Sequence, residues 1–247
     1  MSAATVHMQG ERLMLDPAGA VFWPGKRVLA VADLHLEKGS AAAAKGSLLP
    51  PWDTRATLDV LAGLLRRYRP AVVIALGDSF HDAKGAARLL PADAARLNAM
   101  AMSTDFVWVL GNHDPVPQGL RGESVAEWGD GKLVFRHIAV AGGTGELSGH
   151  YHPKASVPVR GTVVTRPCFV TDGRRLMLPA LGAYTGGLDV RDGAIRSLFP
   201  AGGRAFLLGK ERLFSFPMAG FAGGGAPRRA VAAMAGQGMM ALDEDGG

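Results

Sequence analysis

Three times in its first half the chain runs an unbroken apolar stretch straight into Asp, Asn or His. Val28-Leu29-Ala30-Val31-Ala32 ends in Asp33, and Ala71-Val72-Val73-Ile74-Ala75-Leu76 ends in Gly77-Asp78. Asp105-Phe106-Val107-Trp108-Val109-Leu110 ends in Gly111-Asn112-His113-Asp114. Strands that lack polar alternation are buried on both faces, which calls for a largely parallel sheet covered on either side. Between them, residues 54–68 place Leu58, Leu61, Leu65 and Tyr68 at helical spacing and stop before Pro70. Residues 83–102 are rich in Ala and Leu, with Pro91 placed to open a second helix. This β-α-β order predicts an α/β fold. In such sheets ligands gather beyond the carboxyl ends of the strands, where these polar residues stand.

From Lys132 the pattern changes. Residues 133–139, 145–149, 157–164, 175–178 and 188–198 read as short strands separated by glycines, with Asp192-Gly193 as a hairpin turn. Parallel units followed by a meander predict two sheets packed face to face with helices outside. The chain holds 34 glycines in 247 residues, about twice the usual share, so many tight turns are expected. Beyond Pro217 it becomes Gly- and Ala-rich and ends near Asp243-Glu244-Asp245. The expected division is therefore a folded domain over 1–217 and a mostly disordered tail over 218–247, with room for a short helix at 228–235.

Composition excludes several classes. With 48% hydrophobic and 20% charged residues the chain is not disordered as a whole. No apolar run approaches the roughly 18 to 20 residues of a membrane span, and the N-terminus lacks a basic n-region. Cys168 is the only cysteine, so no internal disulfide forms. These features predict a cytoplasmic protein without a membrane partner. The net charge of +5 favours phosphate-bearing ligands.

The candidate chemistry lies at the strand ends. In Asp33-Leu34-His35 the two polar residues are at i and i+2, which on extended backbone share a face. His150-Tyr151-His152 repeats that spacing, while Asp78, Asn112 and His137 add oxygen and nitrogen donors. Taken singly, an Asp-x-His or an Asn-His-Asp is more often a surface turn than a metal site. Six of the seven histidines, all but His7, nevertheless fall in or beside these strand ends, which scattered placement does not explain. Imidazole, carboxylate and amide donors suit manganese, iron or zinc better than calcium. The absence of cysteine from the set argues against a structural zinc site.

Taken in order, Asp33-x-His35, Gly77-Asp78, Gly111-Asn112-His113-Asp114, His137 and Gly149-His150-x-His152 resemble the five motifs of the calcineurin-like metallophosphoesterases. The resemblance implies a four-layer αββα sandwich of two mixed sheets flanked by helices, with a binuclear metal site. It implies that Asp33, His35, Asp78 and His152 hold one divalent ion. Asp78 bridges to a second ion, completed by Asn112, His137 and His150. It implies further that Asp114 supports His113 as a catalytic group. Two aspartates against two divalent ions leave a positive site that attracts a phosphodiester. Paired metals lower the pKa of a bridging water, so that the hydroxide attacks the ester.

Within that superfamily, protein phosphatases carry an arginine after the second motif. This chain instead reads Gly77-Asp78-Ser79-Phe80-His81-Asp82, and Asp78-x-x-His81 resembles the nuclease branch. The wording of residues 32–39, of Gly149-His150-Tyr151-His152-Pro153 and of residues 178–187 is similar to the bacterial DNA ligase-associated metallophosphoesterases, with Arg166-x-Cys168 as a further likeness. That resemblance implies a manganese-dependent endonuclease acting on single-stranded DNA, working in repair alongside a DNA ligase. His81 and His113 are then catalytic candidates, with His113 as general acid, and Lys38 a candidate phosphate contact. Only four Trp and three Tyr are present and few fall near the motifs, so strand binding is expected to be largely electrostatic. The competing expectation is a small-molecule or cyclic nucleotide phosphodiesterase or phosphatase on the same metals. A scaffold without catalysis is disfavoured, because no ligand position is lost.

Overall fold

The computed structural model describes residues 2–114 and 120–221. The first sheet holds β1 (Ala4–Met8), β2 (Glu11–Leu15), β3 (Val21–Trp23), β4 (Val28–Ala32), β5 (Val72–Leu76), β6 (Asp105–Val109) and β7 (Glu123–Val125), in that spatial order. From β1 to β4 neighbours run antiparallel, and from β4 to β7 parallel. The helices α1 (Lys38–Ala44), α2 (Asp53–Tyr68), α3 (Gly85–Arg88) and α4 (Pro91–Ser103) lie in the crossovers between parallel strands.

The second sheet holds β8 (Glu127–Gly129), β9 (Val134–Arg136), β10 (Glu146–Ser148), β11 (Lys154–Val159), β12 (Thr162–Thr171), β13 (Arg175–Met177), β14 (Arg204–Leu208) and β15 (Leu213–Pro217). Its order is β15-β14-β12-β13-β10-β9-β8, with β11 paired to the first half of β12. The pairs β9–β10 and β10–β13 are parallel and the rest antiparallel, so this sheet is mixed rather than a plain meander.

Side-chain alternation builds the layers. On β4, Val28, Ala30 and Ala32 point into a core shared with Phe135, Leu147, Phe169, Leu176 and Leu178 of the second sheet. Leu29 and Val31 point the other way, onto Leu58, Leu61 and Leu64 of α2 and Leu97 of α4. Each fully buried leucine of this kind contributes about 1.5–3 kcal/mol. The outer face of the second sheet is covered by Ile195 of α5 (Gly193–Leu198), with Phe199 and Phe221 beside it. The result is the expected αββα sandwich.

Two strand expectations need amendment. Residues 188–198 are not a strand hairpin: Asp192 caps α5, its carboxylate accepting from the Ala194 N–H. An Asp-Gly pair fits an N-cap as readily as a hairpin turn. Residues 157–164, expected as one strand, instead turn at Arg160-Gly161 between β11 and β12, both residues in left-handed conformation. The first three strands had no counterpart in the sequence reading. Packing also continues to Phe221 through a 3₁₀ turn, Met218–Phe221, with Phe221 buried. The proposed helix at 228–235 and the tail from 222 onward lie outside the described residues. Where Pro91 was expected to start a helix it does so, at the first turn of α4.

Candidate metal centre

The carboxyl ends of β4 and β5 carry Asp33 and, one residue further, Asp78. Their loops are stitched together: the His35 N–H donates to Asp78 O (2.9 Å), the Leu36 N–H to Ser79 O (2.9 Å), and the His81 N–H to Leu36 O (2.9 Å). The geometry differs from the extended i, i+2 arrangement read from the sequence. Asp33 (φ 53°), His35 (φ 42°), Asp78 (φ 43°), His150 (φ 71°) and His152 (φ 46°) all occupy the left-handed region. These are sharp turns that curl each side chain back over the sheet edge. Left-handed backbone outside glycine costs on the order of 1–3 kcal/mol per residue and persists where the surroundings enforce it. Asp33 helps to enforce it, since its Oδ2 accepts from the His150 N–H at 2.9 Å across the two sheets.

The turned side chains form two groups. In the first, His35 Nε2 lies 3.2 Å from His152 Nε2, which lies 3.4 Å from Asp33 Oδ1. In the second, His137 Nε2 lies 3.4 Å from Asp78 Oδ2, 3.2 Å from His150 Nδ1 and 3.0 Å from Asn112 Oδ1. Asp78 Oδ2 also lies 3.9 Å from His35 Nε2, so one carboxylate oxygen faces both groups. All seven residues expected to bind metal are therefore brought to one place.

Two observations fit this place to cations. Donors that share one ion at bonds of about 2.0–2.2 Å must lie roughly 3 Å from each other, as these do. Asp33 Oδ1, in a side chain fully withdrawn from solvent, accepts no hydrogen bond, and an unsatisfied buried carboxylate oxygen is costly. A cation is the missing partner.

The tautomer and charge states agree. His137 donates from Nδ1 to Leu76 O (3.1 Å), which leaves the Nε2 lone pair for the centre. Gly77 makes room for this ring, lying directly against it. Burial, with the neighbouring His152, drives His35 down to about 3, so its imidazole is neutral. Asp78 is held low, at about 2, by His137 and the His113 N–H against the opposing effect of burial. Neutral imidazole and ionised carboxylate are the states that ligation requires. His137 is the exception: burial opposes it, but the Asp78 and Asp33 carboxylates on either side raise its pKa.

His81 and His113 stand beside the centre rather than in it. Their rings lie nearly parallel at 5.9 Å, and each is 5.7 Å from the His35 ring. The backbone N–H of His113 donates to Asp78 Oδ1 (2.9 Å), tying it to the shared carboxylate, while its ring is exposed. Asp114 is bonded elsewhere than to the His113 ring. Its Oδ2 accepts from the Phe80 N–H at 3.0 Å, so it clamps the loop that carries His81. Burial and the nearby Asp78 charge raise Asp114 to about 6, against the Phe80 bond.

Lys38 begins α1 and is half-buried. Burial and the charge of Lys154 lower its pKa, with Asp53 opposing. Lys154 was missed in the sequence, although it follows His152 by two residues. Its Nζ donates to Thr185 O at 3.1 Å. Arg166-x-Cys168 lies on β12, with Cys168 buried and its thiol pushed far up by that burial, so it is packing rather than chemistry.

Comparison with known proteins agrees with the geometry. No curated protein sequence matches the chain. Among solved structures, a nuclease MPE of Pseudomonas putida is similar, with 28% identity, a TM-score of 0.67, and coverage of 87% of this chain and 100% of that one. Yfce, a phosphoesterase from E. coli, shares 17% identity over 77% of this chain and 98% of its own, with a TM-score of 0.41. The family model for calcineurin-like phosphoesterase matches residues 26–171, a span that begins before β4 and contains every donor of the two groups. The chain belongs to the calcineurin-like phosphoesterases and is a metal-dependent hydrolase.

Proposed function

We propose that the chain is a manganese-dependent endonuclease that cuts single-stranded DNA internally. The observation that carries this is the 28% identity to a Pseudomonas putida nuclease over 87% of the chain, joined to the two donor groups that share Asp78. Asp78-Ser79-Phe80-His81 supports it, because Asp-x-x-His resembles the nuclease branch and the arginine that protein phosphatases carry after this motif is absent. The +5 charge suits a polyanionic substrate. A role in DNA repair, beside a DNA ligase, rests on the likeness of residues 32–39, 149–153 and 178–187 to ligase-associated enzymes.

Asp33, His35, His152, Asp78, Asn112, His137 and His150 would hold two divalent cations, which would supply Lewis-acid activation of water and charge stabilisation at the phosphate. The chain's own residues do the rest. Those seven side chains set the positions of charge. His113, exposed beside the centre and anchored through its backbone to Asp78, donates a ring proton to the departing oxygen. His81, held at the same edge by the Asp114 clamp, and Lys38 contact the phosphate oxygens.

The test compares circular single-stranded DNA with matched duplex and with a cyclic nucleotide, in manganese. Linearisation of the circle, with duplex a poor substrate, is expected. A stiff duplex keeps its phosphates on a fixed helical path, whereas a single strand bends into the cleft. Efficient hydrolysis of the cyclic nucleotide with the circle uncut would replace this function by that of a nucleotide phosphodiesterase.

A further inference from the structure

Two exposed aromatic rings are carried on segments tied to the metal centre: Trp52, away from every motif, and Tyr184, inside the stretch 178–187. Trp52 precedes α2 at the N-cap, where Ser, Thr, Asp or Asn would serve the helix. It offers no side-chain cap, and 64% of it is exposed, so neither capping nor the core accounts for it. Tyr184 is 44% exposed on a left-handed backbone (φ 59°), an unfavourable conformation for a bulky residue that nothing in the core demands.

The turn that carries Tyr184 is fastened to the centre. The Gly182 N–H donates to Asp33 O (3.1 Å), and a side chain at Gly187 would collide with His152 O. The Ala183 N–H donates to Thr57 Oγ1 (3.1 Å), five residues and about 7.5 Å along α2 from Trp52. Lys154 bonds Thr185 in the same turn, and Lys38 adjoins Gly39, whose N–H donates to Asp53 at the start of α2. The acids here face inward: Glu37 and Asp53 are buried and hydrogen-bonded to Thr54 and Gly39. Exposed Trp52 and Tyr184 and the partly buried Lys38 and Lys154 thus hang on one hydrogen-bonded framework.

Resting on the nuclease function proposed above, we infer that Trp52 and Tyr184 form a stacking platform for bases flanking the scissile phosphate, with Lys38 and Lys154 meeting the strand's phosphates. Base stacking on an exposed ring is tolerant of sequence and needs unpaired bases, so the platform selects single strands. Strand binding is then not electrostatic alone.

The test measures binding of a fluorescent dT 16-mer to the full chain in EDTA, where no strand is cut, alongside a 16-mer of abasic residues. Trp52→Ala and Tyr184→Ala are each expected to weaken dT binding about 5- to 150-fold, with Trp52→Phe restoring most of it. The wild type should bind the abasic strand more weakly by a similar factor, and Trp52→Ala should lose little further on it. Equal binding of both strands by the wild type, or undiminished dT binding by both alanine variants, would overturn the platform. If the platform behaves as expected but the wild type leaves single strands uncut in manganese, the nuclease function fails and the platform stands. If the wild type cuts while the variants bind normally, the platform fails and the nuclease function stands.

Discussion

Replacing Gly77 by alanine should weaken one metal group while leaving the other intact. Gly77 has φ 70°, and a Cβ there would lie 2.2 Å from His137 Nδ1 and 2.3 Å from its Cγ. The obstacle is a rigid ring, so the imidazole must retreat by about 1 Å or more to reach ordinary contact. That movement breaks the His137 Nδ1–H bond to Leu76 O and carries Nε2 away from Asp78 Oδ2 and Asn112 Oδ1. Loss of such an orienting bond typically costs about 10- to 100-fold in metal affinity. The left-handed alanine adds about 1–2 kcal/mol of folding cost and the overpacking about 1–3 kcal/mol. Gly131→Ala is the control: its φ is 71°, but nothing lies within 4 Å of the added Cβ. Titration of the metal-free protein with manganese, followed calorimetrically, reads both variants. Gly77→Ala should keep one tight equivalent, at Asp33, His35 and His152, and bind the second 10- to 100-fold more weakly. Gly131→Ala should lose only stability. Two equivalents at wild-type affinity in Gly77→Ala would refute the packing argument.

Asp78→Ala removes an oxygen that faces both donor groups and should be the most damaging ligand change; near-normal turnover on a nitrophenyl phosphodiester would disprove the shared role. Saturating manganese should raise the melting temperature, because two ions each at about 100 times their Kd add about 5 kcal/mol, or roughly 10–20 °C for a chain of this size; an unchanged melt in manganese and EDTA would count against the buried Asp33 oxygen needing a cation. His113→Ala should slow alkyl phosphodiesters about 10²- to 10⁴-fold and nitrophenyl esters much less, since nitrophenolate leaves without a proton. Equal losses on both would make His113 a phosphate contact instead.

Much of the centre was legible because it is assembled from strand ends. Apolar runs fix where β4, β5 and β6 stop, and the polar residue after each stop has nowhere to go but the sheet edge. Backbone conformation was not legible: Asp33, His35, His150 and His152 converge through left-handed turns rather than strand alternation, and although Asp and His tolerate φ > 0 better than most residues, nothing local says which of them adopt it. Adjacency in sequence links Asp114 to His113, whereas the fold also brings the Phe80 N–H to its carboxylate from 34 residues away, a bond the sequence does not announce. Asp192-Gly193 failed for a different reason, since an Asp before Gly serves a helix N-cap or a hairpin equally well. Strand β1 does carry a period-2 signal, Ala4-Thr5-Val6-His7-Met8, that the sequence reading passed over, whereas β2 opens on Glu11-Arg12 and β3 has only three residues, so their place follows from the pairing β1-β2-β3-β4. The bonds that tie the Trp52 and Tyr184 segments to the centre come from loops whose course the sequence does not state.

Anomalous scattering at the manganese edge, from crystals of the full chain grown with manganese, tests the central claim most directly. The account predicts two peaks about 3.5–4 Å apart. One should lie against Asp33, His35 and His152, the other against Asn112, His137 and His150, with Asp78 between them. A single peak under saturating manganese, or peaks away from these residues, would contradict it.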